Sequence, residues 1–342
     1  MSDPAISTNS YGLKKYNTFG VDVETRFFVS IDNIDTLRSL ILSKQLEEQE
    51  VCIIGEGSNT IFKTNFEGWV LKNDLKGIRV LQEDDEHVWV EAQAGENWHE
   101  FVNHCVENNW GGVENLSLIP GSVGAAPVQN IGAYGVELKD VFESLIAVNM
   151  RSGRVERFSL NACRFGYRDS IFKNRLKGRY FIVSISLKLT KKNHNFNLSY
   201  GQVKEKMEQM GKDVNLKNIS DTVCFIRRSK LPDPAVIGNC GSFFKNAIIT
   251  TTKFEKIQKR FPEIPSYPVS DKKVKIPSAW LIEQCGWKGR RFGNIGVYDK
   301  HSLILVNHGG GTGREVAWLS EKIIESVYDK FSIEIEREVN II

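Results

Sequence analysis

The part of the sequence best suited to chemistry is an almost uncharged run, Ile119–Gly135. Its glycines are Gly121, Gly124, Gly132 and Gly135. A packed core does not need so many glycines, and a disordered linker would not carry apolar residues such as Val123 and Val128. Close approach of the backbone to a flat or phosphorylated ligand explains both features. The run therefore predicts a loop that contacts a cofactor.

Two other glycine-containing stretches could bind an anion. Gly55–Asn59 follows a short apolar strand, Val51–Ile54, and its backbone N–H groups could face a phosphate. Taken alone, this segment is equally typical of a plain turn. The stretch His308–Gly313 matches neither common nucleotide-binding fingerprint in register, so we interpret it as a loop.

Hydrophobic periodicity predicts the elements that must position these loops. The predicted strands are Arg26–Ile31, Val51–Ile54, Val88–Ala94, Phe181–Leu189, Leu303–Val306 and a terminal strand, Ser332–Ile342. The predicted helices cover 33–46, 97–109, 220–229, 314–328 and the neighbourhoods of 251–260 and 277–285. Pro232 and Pro234 stop a helix and mark a candidate domain boundary. His99 and His104 lie off the apolar stripe of their helix, so we expect both to be solvated.

Charge is distributed unevenly along the chain. The 342 residues suggest about two or three domains. The 45 basic and 42 acidic residues give a net charge of +3, which gives no argument for a nucleic-acid or membrane-surface partner. Residues 81–114 nevertheless carry a local charge of −9, and residues 151–192 carry +10. We expect the acidic block to be solvated surface.

The cysteines and apolar runs indicate the compartment. The six cysteines are widely spaced, without a CxxC pair or Cys/His spacing typical of zinc, so no metal site is predicted. They favour a reducing cytoplasm and small buried side chains over a disulfide framework. No run approaches the 18 or so apolar residues of a membrane span, and the first 15 residues lack a secretory core.

Several separated segments, taken in order, resemble the UDP-N-acetylenolpyruvoylglucosamine reductase (MurB) family, in the class that has a tyrosine loop. They are Gly55–Asn59, Ile119–Gly135, Cys163–Phe172, Leu198–Gly201, Gly241–Asn246 and Glu336–Val339. The resemblance runs from Tyr16 to Val339, almost the whole chain. The ordered set is highly specific, although Gly55–Asn59 by itself is weak.

The resemblance implies an α+β fold, in which a two-part FAD-binding module of the vanillyl-alcohol-oxidase type accompanies an α/β substrate-binding domain. The implied parts are 1–77 with the terminal strand 333–342, then 78–230 with the tyrosine loop, then 231–332 as the substrate domain. Arg337 stands where proline is common in the family, and Ala247 follows Asn246 where proline is usual.

The implied activity is that of a cytoplasmic flavoenzyme of peptidoglycan precursor synthesis. Noncovalent FAD is reduced by NADPH and passes hydride to the enolpyruvyl group of UDP-N-acetyl-3-O-(1-carboxyvinyl)-glucosamine, which gives UDP-N-acetylmuramate. The implied partners are the UDP-sugar and NADPH, with no nucleic acid and no membrane, and the family expectation is a monomer.

Three positions match the family's catalytic residues. Hydride addition next to a carboxylate develops negative charge, which a fixed cation stabilises, and Arg168 matches the arginine for this role. Glu338 matches a carboxylate that helps to polarise the enol carboxylate. Ser242 matches the proton donor, which needs a cationic or water relay because a hydroxyl is a poor acid. Cys240, two residues earlier, is interpreted as packing.

The resemblance also implies two sets of binding residues. The cofactor-binding set is Gly55, Glu56, Gly57, Ser58, Asn59, Ile119, Pro120, Gly121, Ser122, Gly124, Ala125, Ala126, Gln129, Asn130, Ile131, Gly132 and Tyr134. The substrate-binding set is Tyr200, Lys230, Asn246, Lys288 and His301. A UDP-sugar brings a diphosphate, so cationic and hydrogen-bonding donors are the groups its site requires.

Two other functions are compatible with parts of this pattern. Another FAD-linked oxidase on the same module would use oxygen and would not need the set Arg168, Ser242 and Glu338. A non-catalytic nucleotide-binding module would be colourless when purified, because it would carry no flavin.

Overall fold

The structure, a computed structural model, describes residues 10–199 and 202–342. The strands are β1 (Tyr11–Gly12), β2 (Glu24–Ile31), β3 (Val51–Ile54), β4 (Thr60–Ile61), β5 (Phe66–Asn73), β6 (Ile78–Glu83), β7 (His87–Gln93), β8 (Gly132–Ala133), β9 (Val136–Glu137), β10 (Phe142–Asn149), β11 (Val155–Ser159), β12 (Tyr180–Thr190), β13 (Gly238–Ser242), β14 (Ala247–Thr250), β15 (Tyr267–Ser270), β16 (Lys273–Ile276), β17 (Arg291–Phe292), β18 (Ile295–Val297), β19 (Ile304–Asn307) and β20 (Asn340–Ile341). The α-helices are α1 (Ile34–Leu42), α2 (Trp98–Glu107), α3 (Leu160–Cys163), α4 (Val203–Gln209), α5 (Leu216–Lys230), α6 (Thr251–Gln258), α7 (Ser278–Gln284) and α8 (Gly313–Phe331).

The chain divides into two units, each assembled from several segments. Of the described residues, the first contains Thr25–Glu56 and Phe66–Ser229 with Ser10 and Tyr11, and the second contains Gly12–Glu24, Gly57–Asn65 and Lys230–Ile342. The boundary between Ser229 and Lys230 lies just before the proline pair. The three-part division expected from the sequence stays a prediction.

The first unit contains two sheets that share a core. Strands β2, β5 and β3 pair in parallel, which requires crossover connections such as α1. The apolar face of α1, with Leu37 and Leu40, packs into a cluster that also includes Phe181 and Val183 of β12. The second sheet has the antiparallel order β11-β10-β12-β7-β6. Helix α1 ends at Leu42, four residues before its predicted end, because Lys44 takes a left-handed φ of 64°.

Helix α2 buries the apolar stripe that the sequence predicts. Trp98, Phe101, Val102 and Cys105 are almost fully buried against the second sheet. The Asn97 side chain accepts a hydrogen bond from the Glu100 N–H at 3.0 Å and so caps the helix. Helix α5 begins at Leu216 rather than at 220, because Asn215 caps it through the Asn218 N–H.

The second unit is built on two small antiparallel sheets and a long helix. The sheets have the orders β13-β19-β18-β17 and β14-β16-β15. A capping box between Thr312 and Glu315 starts α8. The predicted terminal strand Ser332–Ile342 is wrong in extent, because ladder pairing is limited to Asn340–Ile341 on β4 and a single bridge at Arg337. Burial alternates as predicted from Ile333 to Glu336, although these residues lie outside the strand ladders.

Cysteines and charges mostly follow the sequence prediction. All six cysteines are free thiols, and five of them are buried. The acidic block is not wholly solvated, however, since Glu91 and Glu114 are only 6% and 3% exposed. Glu114 accepts a hydrogen bond from the Gly112 N–H at 2.7 Å, and burial raises its pKa. Among the described residues, no helix is both long and apolar enough to cross a membrane.

Candidate functional site

The glycine run of the first unit is held by Glu56 and by the start of α2. Glu56 makes this connection with both carboxylate oxygens. Asn97 Nδ2 donates to Glu56 Oε1 at 2.6 Å, and the Gly121 N–H donates to Glu56 Oε2 at 3.1 Å. The Trp98 N–H also donates to the Gly121 carbonyl at 2.9 Å. The sequence predicted the two loops separately, and the structure joins them through one side chain.

Part of the glycine content has a packing origin that the sequence prediction did not include. A Cβ on Gly55 would collide with the Ser122 side chain, and a Cβ on Gly124 would lie 2.5 Å from Ala94 Cβ. Gly121 has a φ of 117°, which favours glycine on conformational grounds. These glycines let segments of the protein approach one another, so ligand approach is not their only explanation.

Beyond Gly121 the run tightens into a 3-10 helix, Val123–Val128, most of which is buried. Ala125 is its exposed residue, so a small methyl group is what this turn presents outward. Asn130 is fully buried with a left-handed φ of 47°. Its side chain donates to the Gly166 carbonyl at 2.9 Å and accepts from the Lys139 N–H at 3.0 Å. The Asn130 side chain therefore braces the loop.

The turn that carries Arg168 is fastened to the same loop. Gly166 and Asp169 form an antiparallel bridge, and Arg168 between them has a left-handed φ of 52°. The Arg168 guanidinium donates to the Gly132 carbonyl, and Ser170 Oγ donates to the Val128 carbonyl at 2.6 Å. Together with the bond from Asn130 to Gly166, these contacts place a half-buried cation at the glycine run.

Other cations lie close to the run. Lys173 Nζ donates to Gln129 Oε1 at 3.2 Å. Arg227 on α5 is half-buried, and burial lowers its pKa, whereas Tyr134 nearby opposes that shift. Sequence reasoning missed Arg227. Arg227 lies four residues after Val223, on the side of α5 that carries the buried apolar residues. This position is the feature of the sequence from which Arg227 could have been found.

The second unit brings Ser242 and Glu338 together. Ser242 is the exposed last residue of β13 and follows Gly241, which has a φ of 65°. The Glu338 N–H donates to the Phe243 carbonyl at 2.8 Å, and the Lys245 N–H donates to the Glu336 carbonyl at 2.8 Å. The terminal segment thus runs antiparallel to the residues directly after Ser242, which places Glu338 beside them.

Two further contacts fix the backbone at Glu338. Asn59 Nδ2 donates to the Glu338 carbonyl at 3.3 Å, so a residue predicted to bind the cofactor also supports a predicted catalytic residue. Arg337 Nε donates to Ser320 Oγ at 2.8 Å, and its guanidinium pairs with Glu321. Arginine at this position therefore anchors the terminal segment to α8.

Three predicted substrate residues of the second unit, two lysines and a histidine, interact electrostatically. Burial lowers the pKa of His301, and the positive charges of Lys230 and Lys288 lower it further. Lys288 also pairs with Glu283 at 2.9 Å. Asn246 Oδ1 accepts from the Ser278 N–H at 3.1 Å, so its oxygen is engaged within the protein. Burial raises the pKa of Cys240 to about 12, which keeps this thiol protonated and fits the packing interpretation.

Tyr200 lies outside the described residues, but the segment before it is anchored. Asn115 is 1% exposed, and its Nδ2 donates to the carbonyls of Tyr134 at 2.9 Å and Asn197 at 2.8 Å. Asn197 Nδ2 donates in turn to the Gly135 carbonyl at 3.0 Å. The two asparagines tie the end of the glycine run to the segment that leads to Tyr200.

Comparisons with known proteins match two parts of this chain to family models and nearly all of it to curated relatives. Residues 25–159 match a family model described as an FAD binding domain, and residues 233–342 match one described as the C-terminal domain of UDP-N-acetylenolpyruvoylglucosamine reductase. A protein of Flavobacterium johnsoniae with the latter enzyme's name is 46% identical, covering 98% of this chain and 99% of that protein. A protein of Pseudomonas aeruginosa with the same name is 45% identical, covering 96% of this chain and 97% of that protein.

Solved structures support the fold alone. The crystal structure of the UDP-N-acetylenolpyruvylglucosamine reductase of Thermus caldophilus aligns with a TM-score of 0.65 at 19% identity, covering 98% of this chain and 99% of the other. A solvent-stable cholesterol oxidase aligns with a TM-score of 0.51 at 11% identity, covering 98% and 88%. These likenesses agree with the predicted α+β fold, which combines an FAD-binding module with a second domain.

Proposed function

Since this chain belongs to the UDP-N-acetylenolpyruvoylglucosamine reductase family, we propose that Arg168, Ser242 and Glu338 carry the reduction of the enolpyruvyl group in its UDP-sugar substrate. The chain is an FAD-dependent oxidoreductase of peptidoglycan precursor synthesis, with NADPH as the reductant. The product is UDP-N-acetylmuramate. The observation that supports the catalytic proposal best is the backbone hydrogen bond from Glu338 to Phe243, which positions residue 338 beside the residue that follows Ser242.

The residues of the glycine run fit a flavin dinucleotide. The run presents small side chains such as Ala125, and Gly121 and Gly132 add no bulk of their own. The guanidinium groups of Arg168 and Arg227 adjoin it, and such donors suit phosphate and the electron-rich edge of a flavin. Gly55, Glu56 and the run 119–134 would hold one part of FAD, and Gly57, Ser58 and Asn59 another, without a covalent bond.

The chemistry that FAD supplies when bound is transfer of hydride from NADPH to the enolpyruvyl group. Addition of hydride next to a carboxylate spreads negative charge onto the carboxylate oxygens. Arg168 stabilises that charge, because its guanidinium is held in place before the reaction and needs no reorganisation. Its bond to the Gly132 carbonyl and the turn at Gly166–Asp169 fix this orientation.

Ser242 delivers the proton that completes the reduction. Its hydroxyl is exposed at the end of β13, so it can reach a bound substrate and regain its proton from solvent. Glu338 lies next to this position and orients the enol carboxylate through a proton or a bridging donor. Cys240 does not compete as the acid, because its thiol is buried.

Lys230, Lys288 and His301 bind the anionic part of the UDP-sugar, with help from Asn246 and Tyr200. Both lysine charges lower the pKa of His301, which supports a shared electropositive site in the second unit. His301 accepts from the Leu303 N–H through Nδ1 at 3.3 Å, so its Nε2 carries the hydrogen and can donate to an oxygen. We also propose a cytoplasmic monomer as the working form.

The experiment that tests this function compares NADPH oxidation with and without the enolpyruvyl UDP-sugar, both under nitrogen and in air. The purified protein should be yellow, and sustained NADPH oxidation should require the UDP-sugar. Equal rates with and without it in air would indicate an oxidase on the same module, and a colourless protein that cannot bind added FAD would indicate a nucleotide-binding module without redox chemistry.

A further inference from the structure

The residue that precedes the glycine run, Leu118, makes hydrogen bonds to side chains through both its backbone N–H and its carbonyl. Leu118 has a left-handed φ of 59°, which is unfavourable for a side chain of its size. His99 Nδ1 accepts from the Leu118 N–H at 3.0 Å. Arg227 Nε donates to the Leu118 carbonyl at 3.2 Å. A strained conformation of this kind persists only when its surroundings hold it.

The position of Leu118 decides where the run begins. Ile119 and Pro120 follow it directly and connect it to Gly121, which is held through Glu56 and Trp98. Movement at Leu118 would therefore shift Ile119 and Pro120 relative to Gly121 and the rest of the run.

The bond to Leu118 fixes the protonation state of His99. Because Nδ1 accepts a hydrogen bond, it carries no hydrogen, and the hydrogen of the neutral ring is on Nε2. Nε2 lies 4.0 Å from Cys224 Sγ, which is a weak acceptor. A doubly protonated ring would direct an N–H at the Leu118 N–H and break the contact.

We propose that His99 is a positioning residue for the flavin loop, which holds Leu118 only while its imidazole is neutral, so that the protein binds FAD less tightly in acid. This inference rests on the proposed role of residues 119–134 in binding FAD. His99 does not touch the reacting atoms in this scheme and acts through Leu118.

The charges around His99 favour the neutral ring. Burial lowers the pKa of His99, Arg228 and Arg227 on α5 lower it further, and Glu100 on its own helix opposes them. The other titratable groups that face the surrounding cavity of about 740 Å³ are Glu107, Lys212, Lys217, Asp221 and Cys224. Since the pKa lies below its ordinary 6.5, the contact is complete above pH 6.5 and is lost as the pH falls through the lower value.

The test uses the holoenzyme and measures FAD release after dilution by the rise in flavin fluorescence, between pH 5 and pH 8. His99→Asn keeps an acceptor at the position of Nδ1 but cannot be protonated. His99→Leu removes the acceptor. His104→Asn is the matched control, because His104 lies on the same helix and packs against Trp110 instead. Circular dichroism at each pH establishes that the variants remain folded.

We expect His99→Leu to bind FAD with a roughly tenfold higher dissociation constant at pH 8, because the Leu118 N–H loses its acceptor. His99→Asn should match the parent at pH 8 and should not share the parent's loss of affinity below pH 6.5, whereas His104→Asn should share it. The inference is overturned if His99→Asn weakens in acid as the parent does, or if His99→Leu holds FAD as tightly as the parent. A parent protein that never binds FAD would instead overturn the proposed function.

Discussion

Replacing Glu56 by glutamine tests how the two loops of the flavin site are joined. Both oxygens of the Glu56 carboxylate accept hydrogen bonds, from Asn97 Nδ2 and from the Gly121 N–H. The Asn97 amide cannot rotate to adapt, because its oxygen accepts from the Glu100 N–H and caps α2. In Glu56→Gln one oxygen becomes an NH2 group that must face a donor, so one of the two bonds is lost.

The size of the effect follows from the kind of bond. A hydrogen bond to a charged acceptor contributes about 1.5–3 kcal/mol, and the remaining donor would be left facing another donor. We expect a loss of about 2 kcal/mol in the free energy of unfolding of the first unit. For a unit of this size, that loss lowers the midpoint of thermal unfolding by about 4–8 °C.

A compensating change makes the test sharper. In Asn97→Asp the helix cap is kept, but two carboxylates face each other, so this variant should also be destabilised. When Glu56→Gln and Asn97→Asp are combined, the new amide at position 56 can donate to the new carboxylate at position 97, while the amide oxygen accepts from the Gly121 N–H. The double variant should therefore be more stable than either single one.

The assay is thermal unfolding followed by circular dichroism at one saturating FAD concentration, because bound ligand shifts the midpoint. Glu67→Gln is the control, since Glu67 is exposed on β5 and its change should be worth less than about 0.5 kcal/mol. The reasoning is refuted if Glu56→Gln melts with the control, or if the double variant is no more stable than the more stable of the two single variants.

Two further substitutions test the packing and the helix start. Gly124→Ala would bring a methyl group to 2.5 Å from Ala94 Cβ and should lower the free energy of unfolding in urea by about 1–3 kcal/mol. Gly12→Ala is the control, because the space around Gly12 is open and the change should be neutral or slightly stabilising. Equal stabilities of the two variants would contradict the contact between Gly124 and Ala94. Thr312→Ala removes the cap of α8 and should cost about 1 kcal/mol by the same measurement, and Thr312→Ser should recover most of that loss. A Ser variant as unstable as the Ala variant would show that the hydroxyl does not cap the helix.

The regular elements could be predicted from the sequence where apolar periodicity was strong. The stripe of α2 determines which face is buried, and the structure confirms it. Strand β12 lies where the alternation predicted a strand, but Phe181–Leu187 are all buried, because the two faces of this strand pack into different core clusters. The terminal strand was overestimated because alternation shows which side chains are buried and cannot show whether a partner strand is present. Near Glu338 the partner is only a short segment after Phe243, so the backbone is extended with few ladder bonds.

The residue types of the site could be predicted from the sequence, but the contacts that hold those residues in place could not. Glycine content indicated a loop with close approach, but sequence could not reveal that Gly124 approaches Ala94 within the protein. His99 was expected to be solvated, and that prediction was wrong. The burial of His99 depends on Leu118, 19 residues later, whose N–H donates to the imidazole where the chain returns to α2. Long-range side-chain-to-backbone contacts of this kind leave no periodic signal.

The central claim is that Ser242 protonates the substrate after hydride transfer, and two separate half-reactions test it most directly. Under nitrogen, NADPH is first added to the Ser242→Ala enzyme and bleaching of the flavin absorbance is timed; the enolpyruvyl UDP-sugar is then added and return of the absorbance is timed. The account predicts bleaching at close to the parent's rate and a return slowed by about 10²–10⁴-fold, the usual contribution of a positioned acid. A return as fast as the parent's, or an equal slowing of both steps, would contradict it.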